Sequence, residues 1–115
     1  MTVQGLIDQD IFEVINIGDN LDKVITKPFC CDLLSIAMGK APADSAWVTV
    51  MGNINTLAVA VLTDIACIIL AEGVVLDVPA LDKAKIQNIT VLRSDKPIFD
   101  TSLMVYEMIH DSDNL

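Results

Sequence analysis

A chain of 115 residues has the length of one domain and is too short to enclose two independent hydrophobic cores. Hydrophobic residues make up 53% of the chain and aromatic residues only 4%, so its core must be mainly aliphatic. With 16 acidic residues against 7 basic ones, the formal charge of −9 repels nucleic-acid phosphates and anionic lipids, which disfavours both as partners.

The N-terminal residues and the cysteines bear on the compartment. The opening sequence "MTVQGLIDQD" lacks the basic region and the long apolar stretch of a signal peptide, so we expect a cytoplasmic protein. Cys30, Cys31 and Cys67 are spaced neither as a disulfide framework nor as a C-x-x-C pair, which predicts free thiols. His110 is the only histidine, so a Cys/His zinc site is disfavoured, and the sequence indicates neither a metal nor a cofactor.

The first predicted elements are a short helix and a strand. Thr2 is a suitable N-cap because the apolar residues that follow it have helical spacing. Residues 11–16 alternate between the two faces expected of a strand, and the Gly-Asp-Asn sequence at 18–20 predicts a turn.

The next segment has a weaker pattern. Residues 24–25 are consistent with a short strand, and Pro28 disfavours a continuous helix through this region. A short helix is predicted over residues 32–38, with Asp32 as its N-cap and Gly39 as its C-terminal stop. We therefore expect one strand and one helix here, both short.

The second half alternates regularly between strands and helices. Runs rich in β-branched residues predict strands, and helical spacing after a capping residue predicts helices. In chain order these are a strand at 46–51, a turn at 52–55, a helix at 56–63, a strand at 65–70, a helix from Asp77 or Pro79 to Gln87 or Asn88, a strand at 89–92, and a helix at 100–110 capped by Asp100 or Thr101. This order predicts a single α/β domain over residues 1–115, with a mostly parallel sheet of four to five strands and helices on both faces.

The apolar run at 56–76 is long enough to raise the question of a membrane span. It is 21 residues long and carries only two charges, Asp64 and Glu72. A span needs about 20 apolar residues, but a central aspartate costs on the order of 2.5 to 3.5 kcal/mol, and the flanks lack clustered cations and aromatic anchors. A break at Asp64 instead gives a helix and a buried strand of ordinary length, so we interpret the run as core.

The segment "MGNIN" is the best candidate for a ligand site. It lies where a predicted strand ends and a helix begins, and ligands of open α/β sheets collect at the carboxyl ends of strands. Gly52 would let the backbone approach a ligand, Asn53 and Asn55 offer amides, and the helix N-terminus favours an anion. The alternative is that Asn53 or Asn55 is only an N-cap.

Cys30 and Cys31 suggest a redox-responsive pair, because Lys27 is near and Cys31 precedes a predicted helix N-terminus. The alternative is that they are inert and buried. Four aspartates lie at predicted helix ends, where capping explains them: Asp32, Asp64, Asp77 and Asp100. No G-x-S-x-G, P-loop or G-x-G-x-x-G motif occurs, so we assign no catalytic residues.

The predicted last helix is apolar over a wider arc than one packed face needs. Met104, Tyr106 and Met108 contribute to this arc together with Leu103 and Ile109. Part of the arc is therefore a candidate dimer interface, and the alternative is that all of it is core.

Several local features occur together here in an order that covers nearly the whole chain. They are a "DLLS" segment with a Met soon after it, a Trp47 strand followed by Asn55 and an "AVA" helix, and a "KA" helix leading to a short strand and a final helix with Phe and Tyr. In the order of these features the chain resembles the short stand-alone DRTGG-domain proteins of anaerobic bacteria and archaea. The resemblance implies an α/β fold like that of the N-terminal domain of HPr kinase, without a catalytic centre, and adds Asp32 and Ser35 of "DLLS" to the candidate ligand-binding residues.

The chain departs from the family pattern at two places. Lys27 and Pro28 stand where the family usually has a glycine pair, and Asn53 stands where it often has a histidine. Ligand contacts through a glycine backbone and histidine chemistry are therefore not expected of this member.

Related domains accompany CBS domains and phosphotransacetylases, and stand-alone members often lie near hydrogenase or redox genes. The resemblance therefore implies a non-catalytic regulatory or dimerisation module. We expect a homodimer that either senses a small anionic ligand or docks onto a redox or hydrogenase-related protein partner. The alternatives from other classes are a thiol-based redox sensor and a small enzyme with a cysteine or carboxylate nucleophile.

Overall fold

The computed structural model describes residues 1–113, which form five strands and five helices around one sheet. The strands are β1 (Glu13–Asn16), β2 (Pro28–Cys30), β3 (Ala46–Thr49), β4 (Cys67–Leu70) and β5 (Val91–Arg93). The helices are α1 (Val3–Asp8), α2 (Leu34–Lys40), α3 (Ile54–Thr63), α4 (Val78–Ile86) and α5 (Ile98–Asp113).

The sheet is mostly parallel and is wound in one direction. Its strand order is β1-β5-β4-β3-β2, with β2 to β5 parallel and β1 antiparallel to β5. Each connection from β2 to β5 leads to the neighbouring strand on the same side, so right-handed crossovers place α2, α3 and α4 on one face, where they pack on one another. Helices α1 and α5 cover the other face. The predicted α/β class, the mostly parallel sheet and the helices on both faces are confirmed.

The core consists of two aliphatic layers divided by the sheet. Because side chains alternate along a strand, Trp47 and Ile68 pack towards α2–α4, whereas Val48 and Ile69 pack towards α1 and α5. Every residue of β3 and β4 is buried. The central strands are therefore apolar on both faces, as expected of a parallel sheet that helices cover on both sides.

The apolar run at 56–76 contains most of α3 and all of β4, as its break at Asp64 predicts. Asp64 has a φ of 55°, and this left-handed residue ends α3 and turns the chain into β4. No helix within residues 1–113 is both long and apolar enough to cross a membrane.

Residues 21–40 differ most from the expectation. The strand is β2, which begins at Pro28, whereas Val24 makes only an isolated bridge with Thr2. Proline is tolerated there because β2 is an edge strand that bonds on one side only. Helix α2 contains Gly39 and has Leu33 as its N-cap, so the predicted capping role of Asp32 is wrong.

Helix α5 also begins earlier than predicted. It starts at Ile98, so Asp100 lies in its first turn, and neither Asp100 nor Thr101 is its N-cap. The buried Thr101 hydroxyl instead donates to the Ser94 hydroxyl at 3.1 Å. This contact ties α5 to the segment that follows β5.

Candidate functional site

The loops that follow β2, β3, β4 and β5, together with the loop that precedes β1, meet at one end of the sheet. We call this end the carboxyl edge and define it by residues 10–12, 31–33, 50–54, 71–78 and 94–99. Hydrogen bonds connect neighbouring loops along it. The amide of Asp77 donates to the Gly52 carbonyl at 3.0 Å, and the amide of Glu72 donates to the Lys96 carbonyl at 2.8 Å.

Asn53 uses its side chain to cap helix α3. Its Oδ1 accepts hydrogen bonds from the amides of Asn55 at 3.0 Å and Thr56 at 3.2 Å. These are two of the N–H groups that an anion at the helix N-terminus would need. Asn55 is exposed, and its backbone N–H is one of the two that donate to Asn53 Oδ1.

Gly52 is required by a close approach between two loops. A Cβ at this position would lie 2.6 Å from the Val75 carbonyl oxygen and 3.2 Å from a Val74 methyl carbon. A side chain would therefore push the loop after β3 away from the loop after β4. This packing role accounts for the glycine without a ligand.

Asp32 joins the loop after β2 to the end of β3. Its carboxylate accepts hydrogen bonds from the Thr49 hydroxyl and from the Val50 amide, each at 3.3 Å. The structure thus brings Asp32 close to the segment that contains Gly52 and Asn53. Ser35 is exposed in the first turn of α2. The predicted ligand-binding role of these residues stays a prediction.

Arg93 organises the centre of the carboxyl edge, although sequence reasoning gave it no role. Its guanidinium donates to the Gly73 carbonyl at 2.8 Å and to the Glu13 carboxylate at 2.7 Å. It also lies 3.7 Å from Asp95. These contacts hold the loop after β4 and strand β1 together. The available signal was a lone cation at the end of a buried strand, in a chain with few cations.

The charge along this edge is predominantly negative. Its carboxylates and those of the flanking residues outnumber its two cations, Arg93 and Lys96, and Arg93 is already paired. The acidic residues are Asp10, Glu13, Asp32, Glu72, Asp77, Asp95 and Asp100. A free anion therefore meets net repulsion here.

The adjacent thiols point to opposite faces of the sheet. Cys30 Sγ lies 2.6 Å from the Ser102 hydroxyl on α5, whereas Cys31 packs against the core layer beneath α2–α4. This follows from the alternation of side chains at the end of β2. A disulfide between Cys30 and Cys31 would need the strand to rearrange, which weighs against a two-thiol switch.

His110 does not complete a Cys/His pair. It is exposed, stacks on Tyr106 with ring centroids 3.9 Å apart, and lies eight residues after Ser102 on the same helix. At 1.5 Å per residue this separation is about 12 Å along the helix axis, too far for a hydrogen bond to Cys30. Within residues 1–111, no group of three or more His, Cys, Asp or Glu side chains is placed to hold a metal ion.

The candidate dimer residues lie on α5 with different exposures. Tyr106 is 48% exposed, whereas Met104 and Met108 are half-buried, and Met108 packs against the core layer beneath α5. Part of the predicted apolar arc is thus core and part is solvent-exposed. The dimer interface stays a prediction.

The arrangement of the chain can be compared with known proteins. No protein-family model and no curated protein sequence matches it. Among solved structures, it is similar to the crystal structure of the CBS and DRTGG domains of the regulatory region of Clostridium perfringens pyrophosphatase complexed with its activator, diadenosine tetraphosphate. The TM-score is 0.70 over 90% of this chain, at 15% sequence identity. The chain has a DRTGG-like fold.

The expected resemblance is confirmed at the level of the fold. This DRTGG-like domain spans 45% of the length of the pyrophosphatase chain to which it is similar. The segment "DLLS" corresponds here to the exposed turn from Asp32 to the start of α2, and the Trp47 strand is the buried β3. The motifs that carry the resemblance thus include both core positions and the carboxyl edge.

Proposed function

We propose that this DRTGG-like domain is a non-catalytic regulatory module that docks its carboxyl edge onto a partner protein in the cytoplasm. The partner is one whose contact surface is apolar at its centre and basic at its rim. The observation that carries the proposal is a set of exposed apolar side chains on the carboxyl edge.

These apolar residues come from the loops that follow four successive strands. Their exposed fractions range from 43% for Ile54 to 72% for Val78. The set from these loops is Leu33, Ile54, Val75, Val78 and Phe99, and Ile11 in the loop before β1 is also 44% exposed. Scattered exposed apolar residues are ordinary, but six at one end of a sheet are typical of an interaction surface. Phe99, at 68% exposed, is an aromatic residue of a type that is enriched at protein–protein interfaces.

The charge of the edge selects the partner. The carboxylates of Asp32, Glu72 and Asp95 lie among or beside the apolar residues. A partner with lysine or arginine at its rim would complement them, whereas a second copy of a chain with a net charge of −9 would be repelled at this edge. A homodimer through α5 is compatible with this arrangement because α5 packs against one face of the sheet.

The winding of the sheet also favours docking over enclosure of a ligand. In open α/β sheets, ligands bind in the crevice where successive connections diverge to opposite faces. Here the connections after β2, β3 and β4 lead to one face, whereas α5, which follows β5, covers the other, so the connections diverge between β4 and β5. Backbone hydrogen bonds join the two loops at this point, because the amides of Glu72 and Gly73 donate to carbonyls of residues 96 and 94 at 2.8 and 2.9 Å. The loops are thus tied together where a ligand crevice would open.

The docking proposal is tested by comparing two variants of similar exposure. Phe99 on the edge and Leu62 on α3 are 68% and 71% exposed. Three baits are used: the wild-type chain, Phe99→Ser and Leu62→Ser. Any protein that the wild type retains is purified, and its dissociation constant for each of the three chains is measured by calorimetric titration. We expect Phe99→Ser to weaken binding by about tenfold or more, and Leu62→Ser to leave it unchanged.

Salt provides the second measurement. A basic rim predicts that the association rate falls as ionic strength rises. Binding that is unaffected by Phe99→Ser, or that both variants weaken equally, would contradict the proposal. So would a wild-type bait that retains nothing beyond what Phe99→Ser retains.

A second candidate, sensing of a small anionic ligand, is favoured by one observation. The structure to which this chain is similar was solved with a nucleotide activator. The test is a thermal shift of the purified chain with diadenosine tetraphosphate, since ligand at 100 times its dissociation constant stabilises by about 2.7 kcal/mol. A shift that Asn55→Ala abolishes would support a site at "GNIN", and the absence of any shift would leave only the docking proposal.

A further inference from the structure

Helix α3 is apolar on its solvent side as well as on its core side. It is the central helix of the layer α2–α4, and its sequence from Ile54 to Thr63 contains no charged residue. Val61 and Leu62 are exposed to solvent, and Ala58, one turn earlier, is half-buried. A helix that is apolar on all sides is normally covered on all sides, so this stripe is typical of an interaction surface.

The neighbouring helices extend the apolar stripe and add lysines beside it. Helix α2 contributes the exposed side chains of Ile36 and Met38, and α4 contributes that of Ile86. The charged residues of these three helices are three lysines and one aspartate. The lysines form no ion pair with any residue that the structure describes. We call this region the α3 surface and define it by Ile36, Met38, Lys40, Ala58, Val61, Leu62, Lys83, Lys85 and Ile86.

Helix α5, on the opposite face of the sheet, carries the complementary pattern. Leu103 and Tyr106 are exposed apolar side chains, and Glu107 and Asp111 are exposed carboxylates. Successive members of this set lie one to four residues apart along one side of the helix, and we call the four residues the α5 surface. Neither carboxylate is paired with a described residue, and helices α1 and α5 contain no lysine or arginine.

We propose that the α3 surface of one copy of this chain binds the α5 surface of a second copy. Leu62 and its apolar neighbours contact the partner's Leu103 and the partner's Tyr106, while the lysines lie beside the partner's carboxylates. Because the two surfaces lie on opposite faces of the sheet, the contact joins different surfaces of the two copies. A pair of copies therefore keeps one free α3 surface and one free α5 surface, to which further copies add as the concentration rises.

Charge favours this pairing over contact between identical surfaces. Two α5 surfaces facing each other bring carboxylates together, and two α3 surfaces bring lysines together, whereas an α3 surface facing an α5 surface pairs opposite charges. The net charge of −9 repels two copies at a distance. At an ionic strength of about 0.15 M this repulsion is screened beyond about 8 Å, so the groups in contact decide which surfaces meet.

The contact is independent of the docking proposed for the carboxyl edge. No member of the α3 surface or of the α5 surface belongs to the residues that define that edge. Failure of one proposal therefore leaves the other standing. The contact also supplies a surface that covers Tyr106, a candidate dimer residue.

Two variants, each altered on one surface, test the proposal by complementation. Leu62→Glu disrupts only the α3 surface and Tyr106→Asp only the α5 surface, and both positions are exposed. Masses are measured by sedimentation velocity at a concentration where the wild type associates. We expect each variant alone to associate about tenfold more weakly than the wild type. An equimolar mixture should form pairs, because the intact α5 surface of the Leu62→Glu chain binds the intact α3 surface of the Tyr106→Asp chain.

A control variant and a salt series complete the experiment. Val75→Glu makes the same kind of change, from an apolar to an acidic residue, at an exposed position of the carboxyl edge. It should associate as strongly as the wild type. Association in the mixture should weaken as ionic strength rises, because opposite charges meet in the contact.

Four results would overturn the proposal. The first is a wild type that remains a single chain even at about 1 mM, where any contact with a lower dissociation constant would be detected. The second is a Leu62→Glu chain that associates like the wild type, which would show that α5 pairs with itself. The third is a mixture that remains single chains, which would assign the α3 surface to a different protein. The fourth is association that salt strengthens. Circular dichroism shows whether each variant is folded, so a loss of association is read only from folded chains.

Discussion

The Asn53 side chain offers the sharpest test of what the "GNIN" segment does. If its main role is to cap α3, Asn53→Ala should lower the free energy of unfolding. Capping asparagines contribute about 0.5–2 kcal/mol. In this structure Oδ1 accepts from two amides, but the Thr56 amide keeps a second acceptor in the Asn53 carbonyl at 3.1 Å. Only the exposed Asn55 amide loses its sole partner, and water can replace it, so we expect a cost of about 1 kcal/mol.

Urea denaturation measures this difference, and Trp47 is a built-in probe because it is the only tryptophan and is fully buried. A loss of about 1 kcal/mol should lower the urea midpoint by roughly 0.5 M at an m-value of about 2 kcal/mol/M. The melting temperature should fall by about 4 °C. Asn53→Ser, which keeps a capping oxygen, should recover most of the loss, and Asn55→Ala should change stability by less than about 0.5 kcal/mol.

The capping interpretation is refuted if Asn53→Ala is as stable as the wild type. It is also refuted if Asn53→Ser is no better than Asn53→Ala. In either case the backbone of α3 would not depend on this side chain, and a ligand role would become the better explanation of the residue.

Three further predictions concern packing, ionisation and assembly. Gly39→Ala should stabilise the chain by about 0.5–1 kcal/mol, because Gly39 is helical and a Cβ there meets no atom within 4 Å. Gly52→Ala should destabilise it by about 1–3 kcal/mol in the same urea assay, because a Cβ there would lie 2.6 Å from the Val75 carbonyl oxygen. A Gly52→Ala chain more stable than the Gly39→Ala chain would contradict this packing. Burial raises the pKa of the Cys67 thiol from 9.0 to about 12. This thiol's contribution to the free energy of unfolding is therefore fully present below pH 9 and is lost, by up to about 4 kcal/mol, as the pH rises towards 12. In denaturation measured as a function of pH, Cys67→Ala should lose less stability than the wild type over this range, and an equal loss in both chains would refute the assignment. Light scattering after size exclusion should give twice the chain mass of 12.4 kDa for the wild type and a lower mass for Tyr106→Asp; a wild-type mass of one chain would exclude the α5 dimer at that concentration.

Much of the fold could be predicted from the sequence because the strongest patterns lie where burial is complete. The strand β4 is apolar on both faces, and Asp64 and Asn88 stand at the left-handed ends of α3 and α4. These signals are local, since each depends on a few consecutive residues. The order of alternating elements then predicted a mostly parallel sheet.

The errors arise where a distant partner decides the local structure. Asp32 has the residue type of an N-cap, but its carboxylate binds Thr49 and Val50 on the neighbouring strand. Strand β2 contains a proline and is only three residues long, so its existence depends on pairing with β3. The role of Arg93 in the candidate site could not be predicted for the same reason, because it depends on contacts with Gly73 and Glu13, which are far away in the sequence. The cavity lined by Asn20, Asp64 and Asn88 likewise depends on three segments that are far apart in the sequence.

The antiparallel strand β1 has a consequence for how the chain folds and what it pairs with. Strands β3 and β4 join positions 21 residues apart, such as Ala46 and Cys67, whereas the pair Glu13 and Arg93 is 80 residues apart. Two doublings of loop length add about 1.2 kcal/mol of closure entropy, so β1 is expected to join the sheet after β2 to β5 have assembled. Until it does, β5 presents an unpaired apolar edge to any other extended chain. The ion pair between Glu13 and Arg93 therefore helps to protect the domain from pairing with another chain through β5.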